Sequence, residues 1–173
     1  MSAMNLADIS LRLGYSSDAP TLAAMSRDLI EAGLGWQYRA ERIRQLLADP
    51  NVVTLIASEG ERTAGFAAMT VGDERAHLML LAIRPSHQRC GVGRRMARWL
   101  LDTAATAGVA TVHLELRARN RTAYSFYRAQ GFVETLRLEG YYRGRETAIR
   151  MMYMLRAPGA AAPAWVPPAS GLH

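Results

Sequence analysis

Residues 80–96 read LLAIRPSHQRCGVGRRM, and the fold turns on them. An apolar run ends at Ile83 and Pro85 stops it. Gly91 and Gly93 then open a segment whose apolar residues Val92, Met96, Trp99 and Leu100 recur at helical spacing. The pattern predicts a buried strand, a short loop and a helix. A helix start offers unpaired N–H groups and a partial positive charge, which suit an anion. Gly91 and Gly93 place no Cβ in the way of a close approach, and Arg89, Arg94 and Arg95 add positive charge. On its own the loop also suits a simple tight turn. It is neither G-x-x-x-x-G-K-[ST] nor a G-x-G-x-x-G after the first strand, which argues against a P-loop nucleotidase and a Rossmann domain.

Working upstream, His77 to Ile83 is almost continuously apolar, as for a central strand buried on both faces. Val52 to Ser58 and Thr63 to Val71 read as a hairpin about Gly60-Glu61. Arg39 to Ala48 reads as a helix stopped by Asp49-Pro50. Leu22, Met25, Leu29 and Ile30 belong to an earlier helix that begins after Ser16-Ser17-Asp18-Ala19-Pro20 and ends at Gly33 and Gly35. Ile9 to Tyr15 alternates as a first strand. Downstream, the helix from Gly91 runs to Ala107, with Gly108 as its C-cap. Thr111 to Ala118 is a strand, Asn120 to Gln130 a helix stopped by Gly131. Phe132 to Leu138 and Thr147 to Leu155 are late strands. The order β-α-α-β-β-β-α-β-α-β-β gives one mixed α/β domain over residues 1–156, a sheet covered by helices. The Ala- and Pro-rich stretch 157–173 reads as a loose tail.

The chain has 173 residues, which suits one domain. No apolar stretch is long enough to span a membrane, and the N-terminus lacks the basic-then-apolar order of a secretory signal. The single cysteine, Cys90, forms no internal disulfide and points to a reducing cytoplasm. No Cys/His spacing suggests a metal. The net charge of +6 comes with arginines gathered around residues 84–98 and 117–128. A phosphate-rich small ligand accounts for that clustering better than nucleic acid does.

Gln88-x-x-Gly91-x-Gly93 after LLAIRP, and Asn120-x-x-Ala123-x-x-Phe126-Tyr127-x-x-x-Gly131-Phe132 further on, resemble the two motifs of the GCN5-related N-acetyltransferases, the GNAT family. The likeness in element order covers roughly residues 9–156. It implies a central, mixed but mostly antiparallel sheet, splayed at the cofactor site, with helices on both faces. It implies acetyl-CoA as co-substrate, no metal and a primary amine as acceptor. The backbone of Leu81, Ala82 and Ile83 would meet the pantetheine arm. Gln88, Arg89, Cys90, Gly91, Val92, Gly93 and Arg94 would hold the pyrophosphate. Asn120 would lie by the pantetheine arm and Tyr127 by the sulfur. Homodimers through C-terminal strands are common in the family, so a homodimer stays open.

Transfer to an amine requires that the ammonium lose a proton, and the departing thiolate benefits from a donor. In Val112-His113-Leu114-Glu115-Leu116-Arg117 the apolar residues share one face, so Glu115 points to the other with His113 and Arg117. Glu115 is the candidate base, with a pKa expected to be raised by desolvation. A salt bridge to Arg117 or another arginine is the simpler reading. Tyr127 is the candidate acid, against a plain packing role. His113 could relay a proton. His77 and His87 read as surface or strand-end residues. Cys90 has no base near it in sequence. Trp36 and Tyr38 either wall the acceptor site or pack in the core, and Tyr141 and Tyr142 could line the same cleft.

Within the family, His113 to Arg117, Tyr127 and Tyr141 to Glu146 resemble the bacterial ribosomal-protein alanine N-acetyltransferases, which implies a protein N-terminal α-amine as acceptor. Gly33-Leu34-Gly35-Trp36-Gln37-Tyr38 departs from that subfamily's acceptor-side loop. A small-molecule amine (amino acid, polyamine, drug or toxin) is therefore the alternative acceptor. A non-catalytic acyl-CoA sensor is the alternative of another class.

Overall fold

The computed structural model of the chain describes residues 5–157. The tail expected from residue 157 on lies outside them from residue 158. Among the described residues, β1 (Ile9–Leu13), β2 (Val52–Glu59), β3 (Arg62–Val71), β4 (Arg75–Ile83), β5 (Thr111–Arg117), β6 (Val133–Tyr142) and β7 (Glu146–Met154) form one sheet in the order β1-β2-β3-β4-β5-β7-β6. Only β4 and β5 run parallel; every other neighbouring pair is antiparallel. Helices α1 (Ala19–Met25) and α2 (Ala40–Ala48) cover one face, α3 (Val92–Thr106) and α4 (Arg121–Gln130) the other. The α1/α2 layer is built on Leu22, Ile43, Ile56 and Phe66, and the α3/α4 layer on Met69, Met96, Leu100 and Phe132. Each buried side chain of this size contributes roughly 1.5–3 kcal/mol through burial. The expected sheet, mixed and covered on both faces, is present.

The sheet forks. β4 pairs with β5 only at Arg75, Ala76 and His77, opposite Thr111, Val112 and His113. Beyond these rungs β4 stays bonded to β3 as far as Ile83, and β5 to β7 as far as Arg117. The cause lies in β4. Ala68 pairs with Leu80 and Met69 with Leu78, so Met79 is one residue too many, a β-bulge. Ala76 and Leu78 face the α3/α4 layer, whereas past Met79 it is Leu81 and Ile83 that do, with Leu80 and Ala82 on the α1/α2 side. The continuous run HLMLLAI is thus two alternating patterns joined out of phase.

Two other elements differ from expectation. The first helix is α1 followed by a π-helical turn, Ser26–Ile30, in which the Glu31 N–H donates to Ser26 O at 2.8 Å. Such widened turns occur often at functional sites. β6 does not stop at Leu138 but runs to Tyr142, through an irregularity after Leu138. Arg143 and Gly144, both with positive φ, make the turn into β7.

Candidate active site

The loop between β4 and α3 is fixed from below. Buried His87 lies with Nε2 3.1 Å from Glu59 and Nδ1 2.8 Å from the Ser86 hydroxyl, so it is not the surface residue the sequence suggests. The Cys90 thiol donates to His87 O at 2.7 Å. The Gln88 carboxamide donates to Ile83 O at 2.9 Å, which ties two of the expected cofactor contacts to each other. Arg89 and Gly91 take left-handed conformations, φ 63° and 92°. The first N–H along this stretch with a backbone acceptor is that of Arg95, on Gly91 O at 3.0 Å. Ahead of it, the N–H groups of Arg89, Cys90, Gly91, Val92, Gly93 and Arg94 have no acceptor among the described residues. A Cβ on Gly93 would meet only the Phe126 ring at 3.4 Å and Ile83 at 3.6 Å, ordinary contact distances. These donors, left open beside the fork, fit a diphosphate.

At the base of the fork, Glu115 Oε2 lies 2.6 Å from His77 Nε2 and Glu115 Oε1 accepts from Arg150 Nε at 2.9 Å. β4 supplies His77 and β7 supplies Arg150, which stands opposite Glu115 in the ladder. The carboxylate is well buried, its side chain 10% exposed. The hydrogen bond from His77 lowers its pKa most, with Arg150 adding to that and desolvation opposing it. The expected upward shift is therefore overturned: partners in hydrogen-bond contact outweigh burial. The arginine partner is Arg150, not Arg117. His113 turns its Nε2 to the Thr111 hydroxyl at 2.9 Å, and burial lowers its pKa, so it is neutral near pH 7.

Tyr127 is buried edge-on between Phe126 and Phe132, with ring centroids 5.1 and 5.5 Å away. Its hydroxyl makes no hydrogen bond with any described residue. Burial, and then Tyr142, raise its pKa above the ordinary phenol value. Tyr142 is itself pushed up to about 12, by burial first and then by Tyr141 and Glu115. It is thus within electrostatic reach of both Glu115 and Tyr127. Asn120 caps α4, its side-chain oxygen accepting from Ala123 N at 3.0 Å.

A loop and a turn overhang this pair. The buried Glu31 carboxylate accepts from Gln37 N at 2.7 Å, from Tyr38 N, and from the Ser26 hydroxyl at 3.0 Å. That ties residues 31–38 to the π turn. Trp36 packs on the α1/α2 layer and donates its indole N–H to Ala23 O and Tyr38 O. Arg117 donates to Ala32 O at 2.7 Å, and the Arg143 guanidinium lies against Gly35, where any Cβ would collide with it.

The sequence profile described as the Acetyltransferase (GNAT) family matches residues 23–132, more than half of the chain. The chain belongs to the GNAT family. Two curated GNAT relatives are named [Ribosomal protein bS18]-alanine N-acetyltransferase. That of Salmonella typhimurium is 39% identical over 94 residues, 53% of this chain and 64% of the relative. That of Escherichia coli is 38% identical over 97 residues, 54% of this chain and 66% of the relative. The match thus spans just under two thirds of either relative's length. The crystal structure of the ribosomal-protein-S18-alanine N-acetyltransferase from Escherichia coli superposes with a TM-score of 0.76 at 27% identity, over 87% of this chain and 96% of that one.

On this GNAT domain the loop from Gln88 to Arg94 follows the β4 arm that carries Leu81 and Ala82, and Glu115 stands beside the fork between β4 and β5. His77 and Arg150 were missed as partners of Glu115. The sole signal for His77 was a polar residue heading an apolar run; Arg150 had none. Glu31, which shapes the overhanging loop, and Arg143, which bridges it to the β6–β7 turn, gave no sequence signal either.

Proposed function

We propose that this protein transfers an acetyl group from acetyl-CoA to a primary amine, and that the amine is the α-amino group of a polypeptide. The observation that carries the reading is the row of open N–H groups from Arg89 to Arg94 at the head of α3, beside a strand fork with a buried carboxylate at its base. The names of the two bacterial relatives support the polypeptide acceptor. Bound acetyl-CoA supplies an activated acyl group on a thiolate leaving group. The amides of the loop hold its diphosphate, and the open edges of β4 and β5 meet its arm, as unpaired backbone groups require.

Glu115 takes the proton lost by the acceptor ammonium, and the amine nitrogen forms a bond to the acyl carbon as the carbon–sulfur bond breaks. Tyr127, kept protonated by burial, gives its hydroxyl proton to the sulfur and is later reprotonated from solvent. Because the pKa of Glu115 is lowered, it is always ready as a base but a weak one. His77, half exposed and bonded to Glu115, gives the proton a route to solvent. Arg150 positions the carboxylate. A polyamine acceptor is disfavoured, since the cleft mouth carries arginines rather than an acidic lining. A sensor would have no use for Glu115 and Tyr127 in this arrangement. The test is mass spectrometry of N-terminal peptides and a panel of small amines incubated with acetyl-CoA. Transfer to peptide α-amines that is lost in Glu115→Gln supports the reading; transfer to small amines alone overturns the polypeptide acceptor.

A further inference from the structure

The overhanging loop and the β6–β7 turn carry a charge pattern that the transfer chemistry does not use. All 21 basic residues of the chain are arginine, and none is lysine. Four of them lie on or beside this loop and turn. Arg39 stands 5.0 Å over the Trp36 ring and Arg42 4.9 Å over the Tyr38 ring. Arg143 lies against Gly35, and Arg145 follows it in the same turn. All four are exposed, and none has a carboxylate partner among the described residues.

The carboxylates nearby are already engaged. Asp28 is held by Arg27, Glu41 by Arg44, and Glu146 by Arg119 at 3.0 Å. Glu31 is buried against backbone N–H groups. Only Glu139 in the β6–β7 hairpin is exposed without an arginine partner. Inside the mouth, Tyr38 and Glu115 both act on Tyr141, which links the arginine rim to the carboxylate at the fork. The charged neighbours of Glu115 itself are His77 and Arg150, so the four rim arginines stand further out.

Guanidinium groups recognise carboxylates with a planar pair of N–H donors, and an unpaired set on both sides of a cleft steers and orients an anionic chain. We infer that the acceptor is a polypeptide N-terminus followed by acidic residues, whose carboxylates meet Arg39, Arg42, Arg143 and Arg145 while the α-amine reaches Glu115. The inference rests on the α-amine reading above and adds the residues that follow the amine. Two walls of arginine beyond Tyr38 and Tyr141 call for several carboxylates in succession rather than one amino acid.

The test uses the full chain and acetyl-CoA with peptides that share the same first residue. Positions two to five are aspartate/glutamate, asparagine/glutamine or arginine. Free aspartate and glutamate, and oligouridylate as competitor, are further arms. At ~10 mM salt, where screening extends over about 30 Å, kcat/KM is expected to be about tenfold higher for the acidic than for the neutral peptide, and lowest for the basic one. The preference should fade toward ~1 M salt. In the Arg42→Glu/Arg145→Glu variant, whose folding is checked by its melting shift with acetyl-CoA, the acidic peptide should lose its advantage.

Equal or better turnover of neutral or basic peptides overturns the inference while leaving an α-amine acetyltransferase in place. Preferred turnover of the free amino acids overturns it too. So does inhibition by oligouridylate at concentrations where the acidic peptide does not saturate, which would assign the arginines to nucleic acid. Transfer to none of the peptides brings down both the inference and the reading beneath it.

Discussion

His77, in the last rung that joins β4 to β5, meets Glu115, two residues past that rung on β5, at 2.6 Å. The carboxylate thus sits where the sheet stops pairing, bonded to His77 from one arm and to Arg150 from β7. Replacing Glu115 by Gln keeps the shape and removes the proton acceptor. Turnover is expected to fall on the order of 10²-fold or more, the range typical of a general base, with acetyl-CoA affinity unchanged. Stopped-flow or steady-state kinetics beside a cofactor titration would show this; unchanged turnover would remove the base role.

The same pair sets a pH dependence. A carboxylate whose folded pKa lies below its unfolded value adds stability above the unfolded pKa, about 4.3, and loses it as pH falls through the folded pKa. The melting-temperature gap between the wild type and Glu115→Gln should therefore be widest near neutral pH and close below about pH 4, as read by differential scanning fluorimetry across pH.

Tyr127 stays protonated well past the ordinary phenol range. Activity should show no alkaline limb from this residue below about pH 10. Tyr127→Phe should lower turnover on the order of 10²-fold with little change in acetyl-CoA affinity, since the ring packing is retained. Equal turnover would make Tyr127 a packing residue only.

Tyr142 offers an independent alkaline test. Its pKa, raised to about 12 in the folded state, means that the folded protein keeps a proton that the unfolded chain releases above about pH 10. Stability present below that pH is lost as pH climbs toward 12. Tyr142→Phe should lose less stability than the wild type over that interval in chemical denaturation.

Gly93 has room for a Cβ as far as the protein itself is concerned, but a larger side chain would stand over the open amides. Acetyl-CoA at ~100 times its Kd should stabilise the wild type by about 2.7 kcal/mol, a melting shift of roughly 5–10 °C for a domain of this size. Gly93→Val should abolish the shift while the free protein melts close to the wild type. A full shift in the variant would displace the diphosphate from this loop.

Glu31→Ala would leave the Gln37 and Tyr38 amides without their acceptor. A loss of about 1–3 kcal/mol is expected, together with a higher KM for the acceptor and a smaller change in that for acetyl-CoA.

The face of Glu115 could be read from the alternation of Val112, Leu114 and Leu116, and the β4–α3 loop from its glycines. Both are local signals. The partners of Glu115 lie 38 and 35 residues away in sequence, and only the pairing of strands brings them in. The sequence alone therefore points the pKa upward, since desolvation can be inferred from a buried face but hydrogen-bond partners cannot. His87 reads as a surface or strand-end residue in sequence because its partner Glu59, itself partly exposed, comes from the far end of β2. In sequence the strand β6 reads as ending at Leu138, since Gly140 and an exposed, irregular stretch hide its continuation to Tyr142.

Met79 is a surplus residue with a large effect. Its deletion would remove the bulge and join the two alternating patterns in phase, with Ala76, Leu78, Leu81 and Ile83 in one unbroken alternation on the α3/α4 side, and let the two parallel strands zip shut over the space now between them. A single-residue change of length in this strand is thus a mechanical lock on the cleft. Substitutions there should be far better tolerated than any deletion.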